Sequence, residues 1–330
     1  MTATMADVAR EAGVSASTVS RAFSLPQTVR ADTRERVLAV ARRLDFSPNR
    51  TASSLARGRT GTLGLLVPDV VNPYFAEIIK SVQRRARAED RALFLAETGD
   101  APDEAYDIAK AMARQTDGLL LAGPRMAQET LRALADAGPV ALIGLQAPEI
   151  DSAYAELPTG MRQAVRHLAA LGHRRIVYVN GTRTAREPGF RGPVLAACEE
   201  FDVQLVEHLG PFDLTFDNGM AAADLVPTSG ATAVIAHNEM VAHGVACGFS
   251  RQGRGVPGDF SLVTVDDTFM ARTIHPALTA VHVPIDRMGA NGVDLLLARI
   301  AEPEGPVRSV ALPTGLTVRA STGRAPAGPA

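Results

Sequence analysis

From Gly61 onward the chain repeats one pattern, a short apolar run closed by Gly, Pro or an acid and followed by an amphipathic helical stretch. "TLGLLVPD", "RALFLAET", "GLLLAG" and "PVALIGL" form a first set; "HRRIVYVNG", "FDVQLVEHLG", "TAVIAHN" and "SLVTVDD" form a second. Short unalternating apolar runs suit strands buried on both faces, and strands separated by helices pair in parallel. The pattern predicts an α/β fold with two parallel sheets in succession. At 330 residues the chain has room for two or three domains.

The first sixty residues differ in charge. They hold ten arginines, no lysine and five acids, a net of +5, whereas the remainder carries −7. A basic end on an acidic chain points to a polyanion as that end's partner. Thr4 and Asp7 fit a capping box for "MADVAREA", a helix with Val8 and Ala9 inward. Gly13 stops that helix, Val14 plugs the corner, and Ser15 caps a second helix, "ASTVSRAF", that buries Val19 and Ala22. Asp32 and Glu35 are expected to cap a third, "TRERVLAVARRL", with Val37, Val40, Ala41 and Leu44 at i, i+3, i+4 and i+7.

Ala9, Gly13 and Val19 carry the spacing of a helix-turn-helix. Its second helix presents Ala16, Ser17 and Arg21 outward, with Ser15, Thr18 and Ser20 around them. Hydroxyls donate to phosphates and fix register, while an arginine can read guanine bidentately in the major groove. A helical hairpin domain with a solvated basic face is the alternative.

Other chemistries find little support. No apolar run approaches the roughly 20 residues of a membrane helix, and "MTATMADVAREAGVS" lacks the features of a signal peptide, so a cytoplasmic protein is expected. Cys198 and Cys247 form no disulfide framework or zinc spacing and are expected to be small buried hydrophobes. Glu239, His243 and Cys247 share a helical face, but no further ligand of known spacing accompanies them, so no metal is expected. His173 in "ALGHRRI" reads as a loop residue before a strand. "GTLG" lacks the spacing of a dinucleotide site, and no nucleophile–base grouping is interpretable. The chain is expected to be neither an enzyme nor the holder of a cofactor.

"MADVAREAGVSASTVSRAFS", "VRADTRERVLAVARRLDFSPNRTASSLARGRTG" and "TLGLLVPDVVNPYF" together resemble the N-terminal half of a LacI/GalR-type bacterial transcriptional regulator. Looser motifs continue the match to "TVRAST". The resemblance implies a helix-turn-helix headpiece over 1–47, a hinge helix over 48–60, and a two-lobed type I periplasmic-binding-protein-like domain over 61–330. Lobe one would take 61–157 and 284–312, and lobe two 158–283 and 313–330.

In the hinge, one leucine stands in a Ser/Thr/Arg-rich stretch too short and polar to be helical alone. The resemblance places Leu55 and its dimer mate in the operator's minor groove, with Asn49, Ala52 and Ser53 against the backbone and groove floor. It also sets Thr4 and Thr33 among the DNA-facing residues. A plain flexible linker is the alternative.

For a small-molecule cleft the resemblance singles out Arg186 in "REPGF", Asn238 in "HNEMVAHG" and Asp266 in "VTVDDT", with Tyr74 and Phe75 of "NPYF" as an aromatic wall. Such groups suit the paired donors and acceptors of a polyol; a helix cap or a lobe-bridging salt bridge is the alternative for each polar residue taken alone. Departures thin the polar lining: Glu239 replaces an aspartate, Thr264 and Val265 a glycine and an aromatic, Glu156 and Leu157 an Asp-Asn pair, and "ALIGLQ" lacks an acid.

The implied function is ligand-responsive, sequence-specific transcriptional regulation, as a repressor, by a homodimer on a palindromic operator. A tetramer stays open. The effector would be a sugar or related metabolite. A nucleoside or other non-sugar effector is the alternative, as is a small-molecule-binding protein without a DNA role. The helix "DRMGANGVDLLLARI", with Met288, Val293, Leu296 and Leu297, is the candidate dimer face, and lobe core is its alternative.

Overall fold

A computed structural model of the chain describes residues 3–24, 26–46, 60–99, 101–179, 188–209 and 213–326. They divide into two units, Met1–Gly61 and Thr62–Ala330.

Among the described residues of the first unit are the helices α1 (Met5–Ala12), α2 (Ala16–Ser24) and α3 (Ala31–Arg43). Thr4 caps α1 by accepting from the Asp7 amide, Asp7 returns the bond to Thr4 N, and Gly13 ends the helix in the left-handed conformation. Val8, Val19 and Val37 are fully buried, with Ala9, Ala12, Ala22, Val40 and Ala41 around them. Val14, Phe23, Leu44 and Phe46 close the edges of this small core. One expectation is corrected. Arg30 occupies the α3 N-cap without a side-chain bond, and Asp32 sits one residue inside, where it accepts from the Thr33 amide at 2.8 Å. An acid in the first turn still favours the helix dipole.

The second unit alternates strands and helices. Its strands are β1 (Thr62–Val67), β2 (Ala92–Glu97), β3 (Leu119–Ala122), β4 (Val140–Ile143), β5 (Asp151–Glu156), β6 (Arg175–Val179), β7 (Gln204–Leu209), β8 (Ala233–Ala236), β9 (Ser261–Asp266), β10 (Thr279–His282), β11 (Ser309–Pro313) and β12 (Gly315–Thr317). The helices are α4 (Pro73–Ala88), α5 (Pro102–Ala113), α6 (Gln128–Ala137), α7 (Leu157–Ala170), α8 (Pro188–Glu200), α9 (Phe216–Leu225), α10 (Glu239–Arg251), α11 (Phe269–Thr273) and α12 (Ile285–Ala301).

One sheet runs β11-β5-β4-β3-β1-β2 and the other β12-β10-β9-β8-β6-β7. The chain passes between sheets after β5, after β10 and after β11. Every pairing is parallel except β10 with β12. Strands β5, β10, β11 and β12 were not legible as apolar runs, because "DSAYAE", "TAVH", "SVALP" and "GLT" are short or mixed with polar residues. Nor is every strand covered on both faces: β2 is a sheet edge, with Phe94 and Leu95 exposed.

Helix α12 is corrected as a partner face. Met288, Val293 and Leu296 are fully buried, and Leu297 is half-buried against the same core. Ser81 of α4 donates from Oγ to the Asp286 carbonyl, and Gly289 lets the two helices approach closely. Lobe core is therefore its role. The cysteines divide as well: Cys198 is buried, and Cys247 is exposed rather than buried.

Candidate DNA-binding face and effector cleft

On α2, Ser15, Ala16, Ser17, Ser20 and Arg21 are exposed and Thr18 is half-buried. Ser15 Oγ accepts from the Thr18 amide at 3.2 Å and lies 2.8 Å from the hydroxyls of Ser17 and Thr18. Arg21 folds back along the helix, its Nε donating to the Ser17 carbonyl at 3.3 Å. Other arginines of the unit are spent internally: Arg10 on Asp7, Arg43 on Glu11, and Arg36 on the Ala12 carbonyl at 3.0 Å. Arg21 forms no ion pair among the described residues, which leaves its guanidinium available to a ligand. The Thr4 hydroxyl is occupied by its capping box, and Thr33 is half-buried beside Asp32. Asn49, Ala52, Ser53 and Leu55 lie outside the described residues.

In the second unit the candidate ligand residues gather at strand ends. Tyr74 and Phe75 open α4, capped by Asn72, and pack edge to face with ring centroids 5.1 Å apart. They lie over glycines that end two neighbouring strands. A Cβ on Gly144 would stand 2.7 Å from the Tyr74 hydroxyl, and one on Gly123 would stand 3.1 Å from the Phe75 ring. Both glycines have positive φ, at 79° and 51°.

Asp266 ends β9 in the other sheet. Desolvation, then the charges of Glu239 and Glu77, raise its carboxyl well above the ordinary range. The Tyr74 phenol is raised by burial and, to a lesser degree, by the charge of Asp266. Glu77 on α4 is raised by desolvation and partly offset by Arg272 of α11.

Asp266 and Asp267 both have positive φ, 100° and 70°, a conformation that costs non-glycine residues about 1–3 kcal/mol each. Asp267 is tied down: Arg319 Nη2 donates to it at 2.5 Å and Thr317 Oγ1 at 3.1 Å, with His282 Nδ1 3.4 Å away. The Val283 amide donates to the Asp266 carbonyl at 3.1 Å. Buried Glu239 accepts from the Thr268 amide at 2.6 Å and from the Thr268 hydroxyl. The sequence offered Glu239 only as a departure and as one corner of a metal-like face.

Asn238 ends up as the N-cap of α10. Its Oδ1 accepts from the Val241 amide at 2.9 Å, and its Nδ2 donates to the Leu214 carbonyl at 3.5 Å. Beside it, His237 Nδ1 lies 2.9 Å from the Tyr178 hydroxyl, and burial, with the charge of Arg125, lowers the ring to about 4. Neither Tyr178 nor His237 was singled out in the sequence; a polar pair closing two neighbouring apolar strands is the signal that could have found them. Arg186 lies outside the described residues. His173 does sit in a loop but is fully buried, within 3.1 Å of Thr232 Oγ1, Ser261 Oγ and the Gly323 carbonyl, a structural latch. Among the described residues no group of three or more His, Cys, Asp or Glu could hold a metal. No helix there is long and apolar enough to cross a membrane.

Residues 4–49 match the model of bacterial regulatory proteins of the lacI family, and residues 165–322 match a periplasmic binding protein-like domain. The HTH-type transcriptional repressor PurR of Edwardsiella ictaluri is 30% identical over 335 residues, covering 98% of each chain. The chain belongs to the LacI family.

Among solved structures, the lac repressor dimer bound to operator and the anti-inducer ONPF superposes with a TM-score of 0.86 at 25% identity, covering 98% of this chain and 100% of that one. The regulator CelR in complex with cellobiose gives a TM-score of 0.70 at 26% identity, covering 97% and 99%. This LacI-family chain is thus a ligand-responsive, helix-turn-helix DNA-binding transcriptional regulator and not an enzyme. Its doubly wound unit is the periplasmic-binding-protein-like effector domain of that family.

Proposed function

We propose that the chain works in the cytoplasm as a homodimeric repressor of a palindromic operator, released or recruited by a small polyol or related metabolite held between Tyr74 and Asp266. The observation that carries this reading is the turn at the end of β9, where Asp266 at positive φ has a carboxyl group without a hydrogen bond among the described residues, while Tyr74 and Phe75 stand over the glycines that end β3 and β4. A ligand that touches both biases the angle between the sheets, and a population shift of that kind passes to whatever is attached to them. Phe75 supplies a flat apolar wall for a sugar face or a base. Asn238 and Arg186 are the further polar contacts of the proposal.

On DNA, Ala16, Ser17 and Arg21 read base edges, while Ser15, Thr18, Ser20, Thr4 and Thr33 meet phosphates or set register. A single three-helix headpiece reads few bases, so two act together on paired half-sites. Leu55 of each copy serves as the minor-groove wedge, with Asn49, Ala52 and Ser53 beside it. Replacing Leu55 by Ala leaves the stability of the free protein unchanged and lowers operator affinity and bending together.

The cellobiose complex of CelR supplies a sugar as one probe, and nucleobases probe the non-sugar alternative. Thermal shift of the full chain with D-ribose, cellobiose, guanine and hypoxanthine, followed by binding to DNA selected from random sequence, tests the reading. A ligand that raises the melting temperature and changes DNA affinity supports it, and Asp266→Ala then loses the response while keeping DNA binding. Turnover of a hit, or a full response retained by Asp266→Ala, sinks it.

A further inference from the structure

Asp266 does not hold its position through its own side chain, whose carboxyl group makes no hydrogen bond among the described residues. Its backbone must nevertheless keep an unfavourable conformation, and so must that of Asp267. Two consecutive non-glycine residues at positive φ persist only where the surroundings over-determine them. The upstream end is held by β9 pairing with β10, where Asp266 stands opposite His282 and accepts from the Val283 amide. The middle is held through Asp267 by Arg319 and Thr317. The downstream end has one clamp of a different kind, the carboxylate of Glu239, which accepts from both the amide and the hydroxyl of Thr268.

Glu239 is suited to that task. It is 3% exposed, and it is the first residue of α10, whose unpaired amides favour a carboxylate. Two donors on one carboxylate fix both the position and the direction of the Thr268 backbone. The Thr268 hydroxyl in turn accepts from the Met270 amide at 3.2 Å and starts α11, so the clamp runs from α10 through the turn to the next helix. His243 of α10 adds a further polar contact, its Nε2 lying 3.4 Å from the Met270 carbonyl. A residue at position 239 that could not accept twice would leave the turn free to relax toward ordinary φ values, moving the Asp266 side chain.

We infer that Glu239 is a positioning residue of the effector site, a buried clamp on Thr268 that holds the Asp266–Asp267 turn in the conformation that aims Asp266 into the cleft. The inference rests on the cleft reading for its functional meaning, although the clamp itself is a property of the turn.

Hydrogen exchange of the full-length chain, followed amide by amide, tests it without a known effector. Glu239→Ala should speed exchange of the Thr268 and Val283 amides at least tenfold while the strand amides of Leu121 and Val177 change less than twofold. Thr268→Val should reproduce the Val283 effect, Thr268→Ser should retain protection, and Glu239→Ala combined with Thr268→Val should go no further than Glu239→Ala alone. Unchanged exchange at Val283 in both single variants overturns the inference, as does an equal rise at Leu121 and Val177, which would make Glu239 a general core residue. Titration with D-ribose, cellobiose and guanine separates the two readings. A wild-type chain that binds none of them but shows the exchange pattern removes the cleft reading and keeps the clamp. Ligand binding with full affinity in Glu239→Ala overturns the positioning role.

Discussion

The hydroxyl of Thr314 accepts the Gly160 amide at 3.0 Å and donates to the Glu156 carbonyl at 2.6 Å, so the first and third passages between the two sheets are fastened to each other. The second passage lies against the same point. A Cβ on Gly160 would stand 2.5 Å from Val281 Cγ1 and 2.7 Å from Thr314 Oγ1. Gly160→Ala must therefore displace either the end of β10 or the Thr314 bond. Overpacking of this kind costs about 1–3 kcal/mol. Thr314→Val keeps the volume but takes this partner from the buried Gly160 amide and from the half-buried Glu156 carbonyl, again about 1–3 kcal/mol. Chemical denaturation of both variants checks this; a loss below about 0.5 kcal/mol in each would contradict the fastening.

Asp151 and Arg299 make a prediction of a different size. The carboxylate accepts from Nε at 2.8 Å and Nη2 at 3.1 Å, and it also accepts the Arg308 amide at 2.7 Å. Asp151 is 3% exposed and the Arg299 side chain 16%. Removing one partner of a buried pair costs about 3–5 kcal/mol, and the Pro303, Gly305 and Pro306 carbonyls, which still accept from Arg299, hold Asp151→Ala to the lower end of that range. Asp151→Ala should show a loss of that order in denaturant unfolding, whereas removing the solvent-exposed Arg162–Glu200 pair by Glu200→Ala should leave the unfolding curve nearly unmoved.

His237 sets a pH dependence. Its ordinary value of 6.5 is lowered to about 4 by burial and by Arg125. Between these values the unfolded chain binds a proton that the folded chain refuses, so stability falls as pH drops through that window. His173, His167 and His243 are lowered by burial and act in the same direction. Asp266, Glu239 and Glu77 are raised and act oppositely, since the folded chain then binds protons more readily. Stability curves of His237→Gln and Asp266→Asn separate the contributions: the first should flatten the loss between pH 6.5 and 4, the second should steepen it. A slope unchanged by either substitution refutes the assignment.

Arg21 should behave as a base reader. Arg21→Ala should cost about 1–3 kcal/mol at one operator position and relax preference there. A loss equal across all DNA sequences, measured by competition with singly substituted operators, would make it a phosphate contact instead.

Local chemistry made much of this fold legible. The Thr4–Asp7 box, the Gly13 stop and the Val8, Val19 and Val37 core all depend on residues close in sequence, and each has a spacing that only one element satisfies. The apolar strands β1, β3, β4, β6, β8 and β9 were equally plain. Illegible features were set by distant partners. Glu239 meets Thr268 across 29 positions. Whether Met288 of an amphipathic helix faces core or solvent depends on α4, 205 residues away at the Ser81–Asp286 bond. Asn238 was found by motif, but its cap on α10 follows only from where that helix begins.

Strand β2 carries the last prediction. Among the described residues it is the edge of its sheet and pairs only with β1. Its sequence "ALFLAE" reads as fully buried, yet Phe94 is 46% and Leu95 45% exposed. Edge strands with large apolar side chains invite pairing with another chain unless something covers them. In the proposed homodimer a second copy could supply that cover, which makes β2 a contact to test. Leu95→Asp puts a charge on the patch without touching the lobe core, so it should lower the dimer's association constant by at least tenfold while leaving monomer unfolding within about 0.5 kcal/mol of wild type. Operator affinity should fall by a similar factor on every sequence, because losing the dimer removes one half-site and leaves base reading intact. Light scattering after size exclusion, paired with competition binding, reads both. A dimer that persists unchanged in Leu95→Asp and Phe94→Asp places the interface elsewhere.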